Sequence, residues 1–119
     1  MTDRELLEAA AKAAGLAFKW RSGDPKWGAE HVGAAIYADD ALVPWNPLAD
    51  DGDALRLVVK LHINIEHMRD MGGRPFGVNC WPVGRGDCGI SEDGDLSDYN
   101  AVTRRAIVRA AAEIGKAMP

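Results

Sequence analysis

Between its helical stretches the chain has only short alternating runs joined by turn residues, and this excludes most parallel-sheet architectures. Successive parallel strands need a crossover of about a dozen residues. The joints at Asp39-Asp40 and Gly84-Arg85-Gly86 are too short to hold one. The fold class that follows is α+β: a mostly antiparallel sheet layered with three helices, in the order α-β-β-α-β-β-β-α.

The elements are read from caps, periodicity and turn residues. Thr2 and Glu5 have capping-box spacing, Leu6, Leu7, Ala10, Ala13 and Ala14 give an apolar helical face, and Gly15 can end the helix in a left-handed turn. Leu16 to Arg21 alternates as a strand with Phe18 and Trp20 on one face. Val32 to Tyr37 is a second strand, expected to turn at Asp39-Asp40 and return through Leu42, Val43 and Trp45 as a hairpin. Pro44 and Pro47 place that return at an edge, because proline donates nothing to a ladder. Asp50, Asp51 and Asp53 suit the start of a second helix, whose Leu55, Leu57, Val58, Val59 and Leu61 cover a wide arc and predict the most buried helix.

His62 to Met68 then has period two, so a strand should follow with a join of one or two residues. Phe76 to Val83 and Asp87 to Ser91 flank Gly84-Arg85-Gly86 as another hairpin. After the acidic loop Glu92 to Ser97, Asp98 or Asn100 caps a last helix carrying Val102, Ala106, Ile107, Ala110, Ala111 and Ile114 and ending near Gly115 to Met118. Without a repeat or a dividing linker, residues 1–119 form a single domain.

Charge narrows the function classes. With 14 basic and 18 acidic residues the net charge is −4, which gives neither the basic surplus of a nucleic-acid binder nor the acidic surplus of a DNA mimic. The first residues lack a signal peptide's basic start and apolar run, and no stretch approaches the roughly 20 apolar residues that span a bilayer. The expected location is the cytoplasm, with Cys80 and Cys88 as reduced thiols.

No metal or cofactor is expected. Asp50-Asp51-Gly52-Asp53 begins like a calcium loop, but Leu61 stands where its closing glutamate belongs. His31, His62, His67, Cys80 and Cys88 have no zinc-ligand spacing, and no nucleophile elbow, phosphate loop or dinucleotide fingerprint occurs. No catalytic residue is assigned.

The candidates are therefore contact residues. Trp27, in the polar loop after Asp24-Pro25-Lys26, and Trp45, on the expected edge strand, are the tryptophans placed to meet a partner. Arg105 and Arg109 lie one turn apart on the last helix, beside Arg104 and ahead of Lys116, as a solvated face paired with Glu113 or a phosphate-binding stripe that Arg85 could extend.

Two segments, Trp45-Asn46-Pro47-Leu48-Ala49-Asp50-Asp51-Gly52-Asp53-Ala54-Leu55-Arg56-Leu57 and Thr103-Arg104-Arg105-Ala106-Ile107-Val108-Arg109-Ala110-Ala111-Ala112-Glu113-Ile114-Gly115, resemble small proteins of tailed bacteriophages and prophages of the phage ABA-sandwich group, with a fainter likeness to NinX proteins. The resemblance implies a sheet layered with helices and an accessory role in the infected cell, with no reaction or catalytic residues to carry over. Arg74 to Ser91 matches none of its motifs. Two functions follow: a non-enzymatic module that binds a host or phage protein, or a small-ligand or nucleotide-binding domain, with or without enzymatic activity, with histidine and arginine converging in a cleft. An edge strand at Trp45 would also permit pairing of two copies across a two-fold axis.

Overall fold

The structure, a computed structural model, describes residues 2–22, 34–38, 44–82, 90–92 and 98–118. Its three helices begin where side-chain caps dictate. In α1, Asp3–Ala13, the Glu5 amide donates to Thr2 Oγ1 at 3.2 Å. In α2, Asp51–Leu61, the Asp53 amide donates to the Asp50 carboxylate at 2.8 Å. In α3, Tyr99–Ala117, the Ala101 amide donates to Asp98 at 3.1 Å. Each cap contributes about 1 kcal/mol by satisfying an amide that the helix cannot.

Among the described residues the strands form two antiparallel sheets rather than one. β1, Phe18–Ser22, pairs with β2, Ala34–Ala38, from Phe18 opposite Ala38 to Ser22 opposite Ala34. β3, Ile63–Arg69, pairs with β4, Pro75–Pro82, placing Ile65 opposite Cys80 and His67 opposite Val78. β4 in turn pairs with β5, Ile90–Glu92. The class is α+β, and the strand order in the larger sheet is β3-β4-β5.

Of the hairpin expected to return from residue 37 through Leu42, Val43 and Trp45, the turn and the first two residues of the return lie outside the described residues, and only its end at Trp45 is corrected. β2 pairs backward with β1, and Pro44, Trp45 and Asn46 are not in a strand. This segment prepares the second helix: the Asn46 amide donates to Asp53 Oδ2 at 3.0 Å, Asn46 Oδ1 accepts from the Leu48 amide, and the Asn46 carbonyl accepts from Ala49 and Asp50. Among the described residues, Trp45 itself offers no strand for a two-fold pairing. The Asp39-Asp40 turn and the Gly84-Arg85-Gly86 turn lie outside the described residues.

His62 alone joins α2 to β3. It adopts the left-handed conformation, φ 52° and ψ 54°, with its amide donating to the Val58 carbonyl. That conformation costs a residue with a Cβ roughly 1 kcal/mol, which the immediate start of β3 offsets. At the other end of β3, Asp70 Oδ1 accepts from the amides of Gly72 and Arg74, and Gly73 takes φ 79°, turning the chain into β4.

The most buried helix is α3, not α2. Val102, Ala106, Ile107, Val108, Ala110, Ala111, Ala112 and Gly115 are buried in α3, whereas α2 buries only Ala54 and Leu57. The reason is position: α3 packs against α1, α2, β4 and β5, so it is apolar around most of its circumference. α2 packs against α3 and β3, leaving Leu55 61% and Val59 67% exposed. α1 turns Leu6, Ala10 and Ala14 into the main core, and Leu7 and Ala11 toward Phe18 and Trp20 of β1.

Candidate functional site

Side chains alternate along β3 and β4, so Ile63, Ile65 and His67 share the face of Val78 and Cys80 that packs beneath α2 and α3. Where the two helices part above the C-terminal half of β3, a cleft of about 260 Å³ opens. Its apolar lining comes from Ala54, Leu55 and Val58 of α2, Ile65 of β3 and Ile107 of α3. Its polar lining is Asp51, His67, Tyr99, Asn100, Thr103 and Arg104.

The polar groups are held in defined directions. Tyr99 Oη lies 3.1 Å from the Gly77 carbonyl and 3.1 Å from His67 Nδ1. A phenol has one hydrogen, and the Gly77 carbonyl can only accept, so that hydrogen goes to Gly77. The assignment that makes both contacts hydrogen bonds has Tyr99 Oη accept from His67 Nδ1–H, and in that tautomer Nε2 is a hydrogen-bond acceptor. The two rings also touch, with centroids 5.6 Å apart.

Arg104 is a tether rather than an anion receptor. Its Nε donates to the Leu48 carbonyl at 2.9 Å and its Nη1 to Asp51 Oδ1 at 2.7 Å, joining α3 to the entrance of α2. Asp51 is 74% exposed, so solvent screens this pair and its energetic value is small. Its local effect is to neutralise the rim. Thr103 Oγ1 donates to the Tyr99 carbonyl at 2.9 Å.

The residues singled out in the sequence are only partly brought together. Arg105 points away from this cleft to Asp3 of α1, with Nη1 2.9 Å from Oδ1, and Arg109 lies one turn farther along α3. His67 is thus joined by Arg104, not Arg105. Trp45 is half-buried and packs against both apolar clusters. Trp27, His31, Arg85 and Cys88 lie outside the described residues. Among the described residues no group of three metal-ligating side chains converges.

Tyr99 and Thr103, to which the sequence assigns no role, form the wall of the cleft with Asn100, a candidate cap in the sequence that stands inside the helix Asp98 caps. The available signal was spacing: Asn100, Thr103, Arg104 and Ile107 stand at i, i+3, i+4 and i+7 and share one helical face. A second, more open hollow of about 550 Å³ lies between α1, β1 and the end of α3, with Glu5, Glu8, Lys12, Phe18 and Lys116 among its lining. Lys12 Nζ donates there to the Met118 carbonyl at 3.0 Å, and Lys116 pairs with Glu113 at 3.2 Å. Nearby, Trp20 Nε1 donates to Glu8 at 2.7 Å beneath the Arg4 guanidinium.

Cys80 is a free thiol beneath α3, 0% exposed, and burial pushes it up to about 12 from an ordinary 9.0. It is held as an inert, protonated side chain. In a Cys88→Ser background, Cys80 of the folded protein at pH 8 should react with an aromatic disulfide reagent at least about a hundredfold more slowly than free cysteine, because reaction requires opening. The linkage has a definite sign. From about pH 9 to about pH 12 the unfolded chain loses this proton while the folded chain keeps it, so stability falls as pH rises through that window and the contribution is complete below it. Urea melts at pH 8 and pH 10 measure the fall, and its absence in a comparison with Cys80→Ala would refute the assignment.

Among the described residues no helix is long and apolar enough to cross a membrane. No protein-family model, curated protein or solved structure matches the chain.

Proposed function

We propose that the chain is a non-enzymatic protein-interaction module that uses the α2–α3–β3 cleft and the adjoining surface of α2. One observation carries the reading: Leu55, which lines the cleft, and Val59, one turn farther along α2, are large apolar side chains 61% and 67% exposed. Together with the half-buried Val58 they extend the apolar lining onto the outside of the helix, giving a contiguous surface of the kind a partner covers. The cleft volume, about 260 Å³, falls just below the roughly 300–1,000 Å³ of pockets that enclose whole ligands, and suits a single anchoring side chain.

The likeness of residues 45–57 and 103–115 to phage ABA-sandwich proteins supports a further part of the proposal: a phage or prophage accessory protein, layered α/β/α, acting on a host or phage protein in the bacterial cytoplasm. Both segments border the cleft, the first through Asp51, Ala54 and Leu55, the second through Thr103, Arg104 and Ile107. The test is affinity capture of the tagged protein from its host, with wild type, Leu55→Asp and Val59→Asp in parallel. One stoichiometric partner, lost in both variants while their thermal midpoints stay within about 2 °C of wild type, is the expected result. A partner retained by both variants would remove the cleft from the interface.

The small-ligand reading has one observation in its favour, the 550 Å³ hollow beside α1, whose size lies within the range of ligand pockets. Its two lysines and two glutamates give it no net charge for a nucleotide. Resonance shifts confined to Lys12, Phe18 and Lys116 on addition of cell metabolites would transfer the function there.

A further inference from the structure

We infer that the cleft recognises a neutral aromatic side chain bearing an N–H or O–H, the tryptophan or tyrosine of a protein partner, with His67 Nε2 as the acceptor. The inference rests on the interaction reading above and names the chemistry of its anchor. Three features of the cleft select that class. Ala54, Leu55, Val58, Ile65 and Ile107 provide an apolar lining that favours an apolar body. The Tyr99 hydroxyl lies 3.1 Å from both the Gly77 carbonyl and His67 Nδ1, and the tautomer that satisfies both contacts is the one whose Nε2 offers a lone pair. The rim is neutral, because Arg104 and Asp51 satisfy one another, so an anion would meet the Asp51 carboxylate and a cation would meet the guanidinium.

A group that presents no donor leaves Nε2 unpaired on desolvation, which a buried contact cannot absorb without loss. Phenylalanine and leucine are therefore poorer anchors than tryptophan and tyrosine. The His67 and Tyr99 rings, already in contact, add an aromatic surface for the incoming ring. Tryptophan and tyrosine are also the residues that most often carry the binding energy of such an anchor.

The probes are indole and 1-methylindole, which share a ring system and differ in the N–H. Each is titrated into the full chain at pH 8 while amide and imidazole resonances are followed. Indole should shift His67, Ile65, Tyr99 and Ile107 in a saturable manner, and 1-methylindole should bind about three- to tenfold more weakly, the value of one hydrogen bond. His67→Ala should abolish the difference between the probes, and His67→Gln, which restores an acceptor, should recover part of it. Equal binding of the two probes, or no shifts at those residues with either, overturns the inference. A captured partner that depends on Leu55 but no indole response leaves the interaction reading standing without this anchor. An indole response without any captured partner leaves the anchor site and removes that reading.

Discussion

Gly115→Ala is expected to lower stability by about 3 kcal/mol and the thermal midpoint by roughly 10 °C. Helix propensity alone points the other way, since alanine inside a helix is favoured over glycine by up to about 1 kcal/mol. The decisive term is space. Gly115 faces α1 where the two helices cross, and a Cβ there would overlap the Ala9 carbonyl oxygen and come within 2.8 Å of the Ala9 carbonyl carbon. Those atoms belong to backbone, so relief requires α1 to move away from α3. That movement would loosen Ala10, Ala14, Ala110 and Ala111, all nearly or fully enclosed. Gly52→Ala is the matched control. Its Cβ would meet the Asp50 carboxylate at 3.2 Å and the Arg56 guanidinium at 3.4 Å, side chains rather than backbone, so at most the cap's contribution of about 1 kcal/mol is at stake and its midpoint should fall far less. Thermal melts of the two variants side by side separate a crossing constraint from a propensity effect.

The same crossing shows which parts of the fold were legible in the sequence. Local signals were: Thr2, Asp50 and Asp98 stand at the caps because short polar side chains before apolar helical runs do the same work in any fold. The single-residue join between α2 and β3 was readable too, since the apolar period changes from helical to alternating at His62. What depended on distant partners was not legible. Nothing local in Ala34–Ala38 says that it pairs backward with Phe18–Ser22. The prolines at 44 and 47 argued for an edge strand, and a stretch without a strand satisfies them equally well.

The cleft was half legible for a related reason. Adjacent arginines on a helix point about 100° apart, and the sequence alone does not say which of Arg104 and Arg105 faces which neighbour. The fold turns Arg104 to Leu48 and Asp51, and Arg105 to Asp3. The His67–Tyr99 pair joins residues 32 positions apart on a strand and a helix, so its geometry exists only once α3 has packed over β4.

Leu57→Ala is expected to lower stability by about 3 kcal/mol, whereas Leu55→Ala, two residues away on the same helix, should change it by less than about 0.5 kcal/mol. The sequence presents both leucines as parts of one apolar arc, and exposure separates them. Leu57 is 2% exposed within the main core, and Leu55 is 61% exposed at the cleft. Truncating Leu57 leaves a cavity among rigid neighbours, so the lost transfer energy and the lost packing add. Truncating Leu55 removes surface that already faces solvent, and its effect should fall on partner capture. Urea melts with a common slope, read against capture by the same two variants, test both assignments at once. A large loss of stability from Leu55→Ala would make that leucine a core residue and take away the observation on which the binding surface stands. A small loss from Leu57→Ala would mean that α2 is held chiefly by its Asp50 cap and the Arg104 tether, and that its apolar face contributes little to anchoring it over β3.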